Sequence, residues 1–164
     1  MKDILEKISS YNIFNYLLPG VLFAIFGSRL TSLPLLSEDM VIGVFLYYFY
    51  GLVVSRVGSL ILEPILKRFA YVRHEAYEKY VAAVRADSQL EVLSEVGNMY
   101  RTLAALFICL LATMLCEEIS KQIGMGVVSA SVICLVLFST LFVISYRKQA
   151  AYISARVKAI REDN

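Results

Sequence analysis

Apolar residues gather into four long runs, at residues 14–33, 40–62, 101–117 and 127–146, and polar residues gather between them. A helix needs about 20 apolar residues to cross the hydrocarbon of a bilayer, so each run is a candidate span. The third has its apolar centre at residues 103–115, which is short, and needs its flanks to complete the crossing. The pattern predicts an all-α, polytopic membrane protein of four transmembrane helices in a single membrane domain.

The apolar period does not stop where the spans do. Beyond Pro64, the positions Leu66, Phe69, Ala70, Tyr77, Tyr80, Val81 and Val84 keep a helical spacing as far as Arg85. Ala86 and Asp87 interrupt it, and Ser88 with Glu91 has the spacing of a capping box, which predicts a new helix start there. Leu90, Leu93, Val96, Met99 and Leu103 carry that helix into the third span. Spans two and three are therefore expected to be the arms of one helical hairpin, about residues 64–100, projecting by about 30 Å. A stripe of Ile153, Val157 and Ile160 extends span four into a terminal helix at 147–162. That stripe needs a cover, on the hairpin of the same chain or on a neighbour. At the other end, Ile4, Leu5 and Ile8 give the first ten residues an interfacial amphipathic pattern.

Charge supplies the orientation. Of the 16 Lys and Arg residues, thirteen lie in three segments: Lys2 and Lys7; Lys67, Arg68, Arg73, Lys79, Arg85 and Arg101; and Arg147, Lys148, Arg156, Lys158 and Arg161. The opposite loops hold Arg29 and Lys121. By the positive-inside rule both termini and the hairpin are expected in the cytoplasm. Membrane lipids are the first partners this implies. Glu75, Glu78, Glu91 and Glu95 interleave with the basic residues and disfavour nucleic acid as a partner. The first apolar run is too long for a signal core and is expected to stay in the mature protein.

Several residues stand out for their chemistry. Arg56 lies deep in span two with Glu63 two helical turns on, a candidate intramembrane polar pair on one helix face. Gly51, Ser55 and Ser59 form a small-residue ridge that lets a neighbouring helix approach closely, another span or another copy. Too little interior in four short spans to hold a buried Arg and Glu favours a homo-oligomer. Tyr77, Tyr80, Val84, Leu90 and Leu93 form the candidate surface for a soluble partner on the hairpin. Glu117 and Glu118, beside Lys121, read as an exposed loop or, in an oligomer, as a cation-attracting ring. Pro19 and Gly20 predict a kink early in span one, and Asn12 and Asn15 interfacial hydrogen bonds.

Catalysis is not expected. A single histidine, His74, excludes a histidine dyad within one chain, and Cys109, Cys116 and Cys134 are placed as small apolar side chains. No nucleotide-binding glycine loop or zinc-spaced cysteine pair is present, so no cofactor and no metal are expected. Arg68 and His74 do match the loose spacing of HEPN ribonucleases, which makes a membrane-anchored nuclease the third reading. An ion or small-solute channel built from a homo-oligomer is the second.

The run Tyr11 to Gly20 (YNIFNYLLPG), and Ser55 to Ser59 (SRVGS) followed by Glu63 to Leu66 (EPIL), carry a resemblance. They resemble small bacterial membrane proteins of phage-defence loci, and the four-span layout is similar to the membrane component of the Kiwa system. The resemblance implies a non-enzymatic, oligomeric inner-membrane component of an antiviral defence system. Such a component senses or perturbs the membrane with a cytoplasmic protein docked on the hairpin.

Overall fold

The computed structural model describes residues 13–162 except 74 and 76. Asn12, His74 and the interfacial pattern of the first ten residues lie outside the described residues. The described elements are all helical: α1 (Leu18–Leu30), α2 (Met40–Val57), α3 (Glu63–Arg68), α4 (Tyr77–Ala86), α5 (Gln89–Gln122) and α6 (Val127–Glu162). π-helical turns at Ile13–Leu17 and Gly58–Leu62 lead into α1 and join α2 to α3. Four continuous helical stretches, Ile13–Leu30, Met40–Arg68, Gln89–Gln122 and Val127–Lys158, are long and apolar enough to cross a membrane. The chain is thus a multi-pass helical membrane protein.

Both wide turns precede a proline. Pro19 and Pro64 each fall within the first two positions of the helix that follows, where a missing N–H is tolerated. Widening the turn just ahead of each ring accommodates a residue that cannot donate to the preceding carbonyls. A π turn thus lies just ahead of Pro19 and Gly20, where a kink is expected.

Three spans make the core. Val54 of α2 and Ala105, Leu106 and Leu110 of α5 are buried together, with Leu22 and Phe23 of α1 against them. On α5, Thr102, Ala105, Leu106 and Leu110 form a buried stripe with steps of three and four residues. Where α1 crosses α2 the backbones nearly touch: a Cβ on Gly20 would overlap the Tyr47 carbonyl, and one on Gly51 the Tyr16 carbonyl. Only glycine permits that approach. The link between these helices also folds inward, since Leu35 occupies the space beside Gly27 and its N–H donates to Ser28 Oγ (3.1 Å). Asp39 caps α2 by accepting from the N–H groups of Val41 and Ile42 at 2.8 and 2.9 Å.

Two expectations need correction. Helix does not run on from span two to Arg85: α3 ends at Arg68, Ala70 takes a left-handed φ of 55°, and helix resumes only at Tyr77. Phe69 and Tyr71, which helical spacing assigned to an apolar stripe, are exposed in this break. Second, the start of α5 is not capped by Ser88 and Glu91. The Asp87 carboxylate accepts from the Gln89 N–H at 2.9 Å, while the Ser88 side chain makes no cap bond. One acceptor at the first turn suffices, and a carboxylate also complements the helix dipole.

Candidate functional site: a charge node at the basic end

Glu63 is the centre of the site. It stands on the first turn of α3, is only 7% exposed, and faces three cations from three segments. Lys67, one turn further on, reaches Oε1 at 2.7 Å. Arg101 of α5 places Nη1 2.7 Å from Oε2, and Lys148 of α6 places Nζ 3.9 Å from the same oxygen. A buried carboxylate is tolerable only with such partners, and here the partners fasten the ends of three spans together.

The π turn helps to build this node. Within Gly58–Leu62 the register is five residues, so the Glu63 N–H goes to the Gly58 carbonyl. The Ser59 carbonyl then loses its ordinary donor, and the residue five positions on is Pro64, which has no N–H. Lys148 Nζ fills that vacancy at 2.7 Å. One proline thus creates an acceptor in the π turn after α2 for a lysine on α6. The same lysine lies 5.8 Å from the centroid of the Tyr152 ring, which packs 5.5 Å from Tyr77 of α4. The contacts continue from Ser59 out to α4.

The polar pair expected between Arg56 and Glu63 is replaced by two separate interactions. Glu63 takes Arg101, Lys67 and Lys148, while Arg56 Nη2 donates to Tyr16 Oη at 3.4 Å. Helical phase allowed the pair, but Lys67 is four residues from Glu63 and Arg101 comes from across the helix interface. Both are nearer.

The small-residue ridge serves contacts inside the chain. Gly51 meets α1, Ser55 Oγ lies 3.4 Å from Thr102 Oγ1 on α5, and Ser59 receives Lys148 of α6. All three are buried, so each step of the ridge contacts a different span. Asn15 is buried as well, within the first π turn.

The candidate docking residues divide. Tyr77, Tyr80 and Val84 are half-buried, Tyr77 stacks on Tyr152, and Tyr80 and Val84 line a cleft with Arg156. The terminal helix α6 therefore covers α4 of its own chain. Leu90 is half-buried and Leu93 exposed, next to exposed Val92, Val96 and Tyr100. Among the described residues, apolar surface at this end is exposed on this face of α5, at Phe69 and Tyr71 in the break, and at Ile153 and Val157 of α6.

At the opposite end, Glu117 and Glu118 belong to the last turns of α5 rather than to a loop. Glu117 accepts from Ser32 N–H at 3.1 and 3.2 Å and from Ser32 Oγ at 2.7 Å, and pairs with Lys121 at 2.6 Å. It clasps the chain leaving α1 to the end of α5. Glu118 and Lys121 are exposed.

Sequence reasoning does not assign Lys67, Arg101 and Lys148 to a site. Lys67 was within reach of it, because Glu followed four residues later by Lys is a helix pair by spacing alone. Arg101 and Lys148 were read as orienting charges and carry no mark of a shared partner. Fold and site together define a helical, multi-pass membrane protein with a buried charge node at its basic end. Comparisons with protein-family models, curated proteins and solved structures find no match.

Proposed function

We propose that this chain is a non-enzymatic, homo-oligomeric component of a bacterial inner membrane, acting in antiviral defence with a soluble partner on its cytoplasmic side. The basic residues at one end of every span support that orientation through the positive-inside rule, which places both termini in the cytoplasm. The antiviral role rests on the resemblance carried by residues 11–20, 55–59 and 63–66.

The observation that carries the reading is how the cytoplasmic parts are fastened to the spans. α5 has 34 residues, about 51 Å of helix at 1.5 Å per residue, and α6 has 36, about 54 Å, against about 30 Å of hydrocarbon. Both therefore project well beyond the membrane. Their projecting ends, with α4, join the core through Glu63, Lys148 and the ring pair Tyr77 and Tyr152. A displacement of the spans is transmitted to that surface through short, charged contacts. Exposed Val92, Leu93, Val96 and Tyr100 are the natural contact for a soluble protein. Self-association uses a different surface from the Gly51, Ser55 and Ser59 ridge, which the chain itself fills; the exposed apolar face of α6, whose most apolar window has no buried residue, is the surface for it.

The test is phage challenge of cells expressing the chain with its neighbouring genes, together with the mass of the purified complex. Protection that depends on the chain, with a discrete oligomer retaining a soluble protein, is expected. Leu93→Glu should abolish both the retained protein and protection while leaving the oligomer intact. A lone oligomer that conducts ions without affecting infection would move the channel reading ahead, and a monomer without partner would overturn both.

A further inference from the structure

The charge node is strongly unbalanced. Both oxygens of Glu63 are engaged, Oε1 by Lys67 and Oε2 by Arg101 and Lys148, and Arg56 lies close enough to Lys148 to repel it, as do Arg101 and Lys67. Three cations therefore crowd about one carboxylate, with Arg56 a fourth beside Lys148, at a place where like charges repel strongly. Their hydrogen-bonding capacity is also underused: a guanidinium offers five N–H donors and an ammonium three, whereas Arg101 Nε is buried with no acceptor. The node is nonetheless reachable, since the side chains of Lys67, Lys148 and Arg101 are 42%, 28% and 23% exposed. It stands where the apolar run of residues 40–62 gives way to the charged stretch Glu63–Arg68, the end of the span that faces the headgroups. Basic pockets between spans at that depth suit anionic headgroups.

We propose that this node binds a phosphate group between Lys67, Arg101 and Lys148, with Arg56 adding to the field. The group is supplied by the phosphodiester of an anionic phospholipid or by soluble phosphate. A phosphate oxygen among Lys67, Arg101 and Lys148 gives their remaining N–H donors an acceptor and reduces the local excess of positive charge. Glu63 then acts as a built-in competitor for the same cations. The inference needs only the membrane placement of the spans and stands apart from the antiviral role.

Opposite effects of neighbouring substitutions test it. Detergent-purified protein is titrated with phosphatidylglycerol, phosphatidylcholine or inorganic phosphate, with adducts read by native mass spectrometry and stability by thermal midpoint. Wild type should retain phosphatidylglycerol over phosphatidylcholine, Lys67→Gln and Lys148→Gln should each weaken retention about fivefold, and Glu63→Gln should strengthen it. Inorganic phosphate that raises the midpoint and displaces phosphatidylglycerol assigns the site to soluble phosphate, whereas a lipid effect that phosphate leaves unchanged assigns it to the headgroup. Lys67 is exposed, so its variant reports on binding even if Glu63→Gln fails to fold. Equal retention of both lipids with no phosphate effect, or undiminished retention in Lys67→Gln, would overturn the proposal.

Discussion

The first and fourth spans make opposite use of their apolar residues. The Val127–Lys158 stretch contains the most apolar window of the four, and no residue of that window is buried within the chain; the Ile13–Leu30 window is the least apolar and the most buried. In water this would be inverted. In a bilayer the lipid tails are as apolar as leucine, so a helix gains nothing by hiding Val and Leu from them. What earns a place inside is close packing and the satisfaction of polar atoms: Gly20 and Gly51 at the crossing, Thr102 beside Ser55, Glu63 with its cations. Span four touches the rest through a few points, Phe49 against Phe138 and Phe142 within the apolar stretch, and Lys148 and Tyr152 beyond it.

Breaking the core should therefore cost far more than cutting the fourth span. Glu63→Ala is expected to be the most damaging single change, at about 3–5 kcal/mol, because it leaves the partly buried Arg101 without its counter-charge; the thermal midpoint of the purified protein measures this. Gly51→Val forces α1 off α2 and should cost about 3 kcal/mol, with part of the loss recovered by no compensating change on α6. A direct contrast comes from two apolar truncations. Leu106→Ala in the core should cost about 2–4 kcal/mol, whereas Val136→Ala on the exposed face of α6 should stay within about 0.5 kcal/mol. A loss at Val136 equal to that at Leu106 would mean that α6 is packed against a further partner, as the proposed homo-oligomer requires. Lys148→Met should leave the core midpoint within about 1 kcal/mol yet speed proteolysis of residues 147–162, since it releases the Ser59 carbonyl and the terminal helix together.

Some of the site was legible in advance and some was not, for reasons that differ by residue. Arg56 and Glu63 attracted notice because an ionisable group at the membrane is costly wherever it sits. Their partners escaped because helical spacing states which residues share a face and is silent about what stands opposite. Arg101 is thirty-eight residues from Glu63, and Lys148 lies eighty-nine from Ser59. The ridge Gly51, Ser55 and Ser59 was recognised as a packing surface, but its three occupants, α1, α5 and α6, were not. The break after Arg68 was missed for the converse reason: Phe69, Ala70 and Tyr71 keep an apolar rhythm without a glycine, and only the backbone at Ala70 ends the helix.

The number of spans, their approximate limits and the gathering of positive charge at one end follow from sequence alone, because hydrocarbon thickness sets a helix length and charge avoids it. Tertiary structure decided which spans form the core, that Glu63 takes Arg101 and Lys148 rather than Arg56, and that α6 covers α4 of its own chain. Those outcomes depend on packing distances of a few ångströms between helices remote in sequence. In a medium that rewards no apolar burial, hydropathy has no means of encoding them.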